Sequence, residues 1–171
     1  MKNFVLLIIF TITALLFLKS CTNPFAPALS VGDSQGTALG DQRTIEGVFQ
    51  NLRFSYIYKD TLTYGRLLAD DFIFSYYNFD ANADRSWGRD EDVRATAGLF
   101  RSVDNLDLVW NGIVTGIGDS LVMDVRRSFL LTIVYSPGDV STGQGDVILR
   151  LRRNSPDDIW KIQRWQDVSD F

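Results

Sequence analysis

Histidine is absent from the 171 residues, and cysteine occurs once, as Cys21. The first absence removes the commonest general base, a common metal ligand and the usual partner of a nucleophilic triad. The second excludes an intramolecular disulfide. Positive charge is in deficit: 17 basic against 21 acidic residues give a net charge of −4. Two of the basic residues, Lys2 and Lys19, and none of the acids fall in the first 20 positions, so the remainder carries 15 basic and 21 acidic residues, a charge of −6. Such a domain is poorly suited to holding nucleic acid or an anionic surface through bulk charge. A phosphate-cradling glycine loop is also missing, because Gly112, Gly116 and Gly118 lack the strand-to-helix context it needs. Nothing in the sequence calls for a cofactor.

Apolar material is ample, at 46% hydrophobic and 13% aromatic residues, enough for one sizeable core. Much of it is at the amino terminus. After Met1-Lys2-Asn3, Phe4 to Leu18 is apolar but for Thr11 and Thr13. That run is short of the roughly 20 residues a spanning helix needs and fits the hydrophobic region of a signal peptide. It leads into Leu18-Lys19-Ser20-Cys21, which resembles the bacterial lipoprotein box, with Lys19 where that box prefers a small or apolar residue. The resemblance implies a signal peptide over 1–20 and lipidation of Cys21, which would anchor the chain to a membrane of the bacterial cell envelope. Thr22 after the cysteine points, by the same resemblance, to the outer membrane. An uncleaved anchor helix is the alternative. Residues 22–42, with Pro24, Pro27, Gly32, Gly36 and Gly40 and no period, read as a flexible tether. The folded domain is then 43–171.

Within that domain Ile45, Val48, Phe49, Leu52 and Tyr56 recur at helical steps and predict a helix over 44–58. Asp60 reads as the N-cap of a short second helix burying Leu62, Leu67 and Leu68. Phe72 to Tyr77 reads as a strand, Asn78 to Asp84 as a polar turn, and Trp87 to Val103 as a third helix whose Asp90, Glu91 and Asp92 favour its positive end. From Leu106 the period falls to two. Strands are expected from Leu106, over 122–135, 143–153 and 159–168, with turns at Ser136-Pro137-Gly138-Asp139 and Asn154-Ser155-Pro156-Asp157. The order α-α-β-α-β-β-β-β argues an α+β fold with a mostly antiparallel sheet.

Three stretches carry a family likeness: Tyr64-Gly65-Arg66-Leu67-Leu68-Ala69-Asp70-Asp71-Phe72, the helix after Trp87, and Ile159 to Asp167. With the element order they resemble the nuclear transport factor 2-like superfamily, the cystatin-like cones that include ketosteroid isomerase and scytalone dehydratase. The resemblance implies a curved sheet wrapped around the long first helix, a conical space that is either filled or open to a small molecule, and a homodimer through the sheet face, as many relatives form. It does not fix an activity.

On that fold, alternation puts Trp160, Ile162 and Arg164 on one face of the last strand, expected to point inward with Arg164 toward the cone mouth. Tyr56 would aim its hydroxyl into the cone, with Tyr76 and Trp110 as walls. One Arg and one Tyr in an apolar pocket suit a flat or amphipathic ligand with an anionic group; aromatics at these periods are equally the ordinary content of a core. Asp124 and Asp167 are the candidate carboxylates for an isomerase-like or dehydratase-like site working without metal or histidine. Arg126, Arg127, Arg150, Arg152, Arg153, Lys161 and Arg164 fall on adjacent strands, as a cationic docking face or as an ordinary solvated one. Asp80, Asn82 and Asp84 have the spacing that opens a calcium loop, but Arg85 stands where that loop needs glycine, so no metal is expected. The function expected is a membrane-tethered binding or assembly module, with a pocket enzyme as the alternative.

Overall fold

The computed structural model describes residues 39–169. The signal peptide, Cys21 and the tether up to residue 38 lie outside the described residues. The elements are α1 (Ile45–Ile57), α2 (Thr61–Leu67), β1 (Leu68–Asn78), β2 (Ala83–Gly88), α3 (Arg89–Ser102), β3 (Asn105–Gly118), β4 (Val122–Ser136), β5 (Asp139–Arg152) and β6 (Lys161–Asp167). Among the described residues no helix is long and apolar enough to cross a membrane. The six strands form one sheet in the order β2-β1-β6-β5-β4-β3. Among the described residues only the β1–β6 pairing is parallel. The fold is the expected α+β arrangement of a curved, mostly antiparallel open sheet packed around its first helix.

Helix α1 starts where Thr44 accepts the Gly47 N–H at 2.9 Å, satisfying one of the free donors of the first turn. Its apolar stripe sets Val48, Phe49 and Leu52 against Val125 of β4, Val147, Leu149 and Leu151 of β5 and Ile162 of β6, the centre of the core. Gly40 and Gln42, placed in the tether by composition, are tied to this body. Gly40 exchanges two hydrogen bonds with the Asn51 side chain, and Gln42 two with the Trp160 backbone. Gly47 permits the close approach, since a Cβ there would lie 1.9 Å from the Asp41 carbonyl oxygen.

Asp60 caps α2 as its chemistry suggests, one carboxylate oxygen accepting the N–H groups of Leu62 and Thr63 at 3.0 Å. Leu62 is exposed, against expectation, because the seven-residue helix turns only its Tyr64, Gly65 and Leu67 side inward. The polar stretch after Asn78 is not just a turn. It is a hairpin loop, with Asn82 at positive φ, that leads into β2. Trp87 therefore ends a strand, stacked 4.5 Å from Phe74 of β1, rather than opening α3.

Candidate functional site

Along the inward face of β4, Val125 and Arg127 are buried, but Phe129, Leu131 and Ile133 stay partly accessible. Their partners across the ladder explain why. Opposite them on β5 stand the small residues Gly145, Gly143 and Ser141. The end of the chain covers Gly145, where a Cβ would meet the Ser169 side chain at 1.8 Å. Among the described residues no large side chain fills the space beside Gly143 and Ser141, and the cone remains open there as a cavity of about 550 Å³. That is the size of a small-molecule site. Its walls are mainly Tyr56, Phe74, Leu108, Trp110, Phe129, Leu131, Ile133, Val147 and Trp165, with Ser141, Thr142, Gln144 and Asp167 as the polar part.

Three of the residues singled out in the sequence meet in this cavity: Tyr56, Trp110 and Asp167. Tyr56 projects from the last turns of α1, in edge-to-face contact with Phe100 of α3 at 5.4 Å. Burial, and behind it the charges of Asp92 and Asp167, push its phenol far above the ordinary tyrosine value, so it stays protonated. Trp110 donates its indole N–H to the Phe49 carbonyl at 3.0 Å, which fixes its ring edge-on to Phe129. Asp167 ends β6, with one carboxylate oxygen accepting the Ser169 N–H at 2.9 Å.

The others lie elsewhere. Tyr76 packs 5.6 Å from the Trp87 ring and lines a separate depression with Tyr77, Asp84 and Gln166. Arg164 is exposed, and a bulge is the reason. Leu149 pairs with Trp165, Arg150 with Arg164 and Leu151 with Ile162, so Gln163 is an extra residue. The bulge shifts the alternation: Ile162 and Trp165 both turn inward, and Arg164 turns out. The cavity therefore gains an indole and loses its expected cation. Asp124 lies on the same outer face. It holds the Arg150 guanidinium by two bonds of 2.8 and 2.7 Å, and this partner keeps its carboxyl below the usual range.

The row of basic residues is largely committed to partners. Arg126 pairs with Asp146, Arg150 with Asp124 and Arg152 with Asp71. Arg127, expected outside, is buried over the Phe49 ring. Its guanidinium donates to Glu46 at 2.8 Å and to the Asn111 carbonyl at 2.5 Å. Asp92 was legible only as a helix-dipole acid. In fact it is buried, taking the Tyr64 hydroxyl at 2.5 Å and the Trp87 indole N–H at 2.8 Å. Burial holds its carboxyl above the usual range, outweighing both hydrogen bonds. Its spacing five residues after Trp87, beside two exposed acids, was the available signal. Among the described residues no three side chains of metal-ligating type converge.

The fold is thus an α+β cone with an aromatic-walled interior. No protein-family model matches the chain, and no curated protein matches it. Solved structures do. The chain is similar to a candidate scytalone dehydratase from Novosphingobium aromaticivorans, at 17% identity over 75% of this chain and 83% of that one, with a TM-score of 0.64. It is similar to an NTF2-like protein with a cystatin-like fold from the same organism, at 14% identity over 74% and 80%, with a TM-score of 0.58. An NTF2-like superfamily protein from Salmonella enterica matches at 11% identity over 75% and 89%, with a TM-score of 0.59. At these identities the likeness is one of fold.

Proposed function

We propose that this chain is a membrane-tethered binding module of the cell envelope that takes a small, largely apolar molecule into its cone. The observation that carries the binding half is the cavity: about 550 Å³, walled by aromatic and aliphatic side chains with a few polar groups at one side. Names among similar structures agree with a ligand-holding cone, since one is a candidate scytalone dehydratase. The tethering half rests on the lipoprotein-like sequence ending at Cys21. Native mass spectrometry of the full chain, purified without detergent exchange into the cavity, should reveal an organic molecule that leaves on denaturation. An empty mass, with no small molecule taken up from a hydrophobic panel, would overturn the binding half. Cys21→Ser should move the protein from the membrane fraction to the soluble one; unchanged fractionation would overturn the tether.

A second reading has one observation in its favour. Tyr56 and Asp167 line the same cavity, a neutral phenol and a carboxylate of the kind that can share acid–base work. Conversion of the recovered molecule by the protein would favour it over simple binding.

A further inference from the structure

Resting on the pocket reading above, we infer that the cavity selects an organic cation, a small alkyl- or arylammonium ion, over neutral or anionic molecules of the same shape. Tyr56, Phe74, Trp110, Phe129 and Trp165 contribute aromatic rings to its wall, and among the described residues Asp167 is the one carboxylate that lines it and no lysine or arginine does. The rings are not one flat stack. Trp110 stands at 70° to Phe129, and Phe74 is tilted 47° to Trp165. Aromatic faces attract cations through the ring quadrupole, and desolvation strengthens that attraction.

The cations that might have reversed this polarity are placed elsewhere. Arg164 is turned outward by the β6 bulge. Arg127 lies behind Phe49 and is taken by Glu46 and the Asn111 carbonyl. Tyr56 stays a neutral phenol and so adds no negative charge of its own. Each ligand class then meets a different outcome. An anion loses its water, meets Asp167 and finds no counter-charge. A neutral hydrocarbon satisfies the walls but strips solvent from Asp167 without replacing it, an uncompensated polar burial. An ammonium ion satisfies both the rings and the carboxylate.

The test uses matched probes on the full chain: benzyltrimethylammonium, its neutral isostere neopentylbenzene, and phenylmethanesulfonate, followed by tryptophan fluorescence. The cation is expected to bind at least about tenfold more tightly than the neutral isostere and the sulfonate least, and Asp167→Asn should collapse the cation's advantage toward parity while Asp167→Glu retains it. The wild-type comparison needs no variant, so a misfolded Asp167→Asn leaves the test intact. Equal binding of the cation and the neutral isostere by the wild type, or an advantage that survives in a folded Asp167→Asn, would overturn the cation assignment and leave the pocket standing. Failure of all three probes to bind would overturn both.

Discussion

Asp60 and Asp92 are the same side chain in opposite settings. Asp60 sits at a helix start near the surface. Its carboxyl is held low chiefly by hydrogen bonds from Thr63, helped by the Leu62 N–H. A carboxyl lowered by folding adds stability that is present above its unfolded value, near pH 4, and is lost as pH falls through the lower folded value. Asp60→Ala should therefore cost about 1 kcal/mol in urea unfolding at pH 7, with the difference from wild type shrinking below about pH 4. A constant difference down to pH 2 would remove the cap from the account. Asp92 has the reverse sign. Its raised carboxyl favours the fold most at low pH and loses that contribution as pH rises through the folded value. The two were distinguishable in the sequence only by their neighbours. A polar residue followed by a helical period announces a cap, whereas burial of one acid among three depends on where Tyr64 and Trp87 are brought by the fold.

At the scale of elements, periodicity located three helices and five of the six strands. It failed where one residue changes a phase. Gln163 is chemically unremarkable as a strand residue, yet as the extra residue of a bulge it decides that Trp165 rather than Arg164 faces inward. Strand β2 was hidden because Ala83 to Gly88 carries little apolar signal and is largely exposed. The cavity itself was written in the sequence, in Ser141 and Gly143, but its meaning needed the register that sets them opposite Ile133 and Leu131. Those small residues make a direct prediction. Gly143→Leu places a side chain in the open space beside Leu131, on a strand whose backbone there needs no positive φ. Probe binding should fall by more than tenfold while the urea midpoint holds or rises, since the added carbons gain burial of about 25 cal/mol per Å². Unimpaired binding would mean the ligand does not use this part of the cone.

For the whole molecule, the order of periodic segments read correctly for an α+β fold, and the apolar content for a substantial core. The basic strands were ambiguous because composition does not reveal pairing. Across the sheet, Arg126, Arg150 and Arg152 each meet an aspartate. Partly exposed pairs of this kind contribute at most about 1 kcal/mol each, and they leave a face with little unbalanced positive charge.

Strand β6 gives the body a direction. At its start, the two hydrogen bonds between Gln42 and Trp160 fasten the incoming chain. At its end, Asp167 lines the cavity. The seven residues of the strand form a rod of about 20 Å. Whatever grips the polypeptide upstream of Leu39, whether a lipid bilayer or the chip of a biosensor, holds the molecule by the far end of that rod. A pull on that end loads the Gly40–Asn51 and Gln42–Trp160 clasps, so the first bonds to give are ones that no guest in the cone touches.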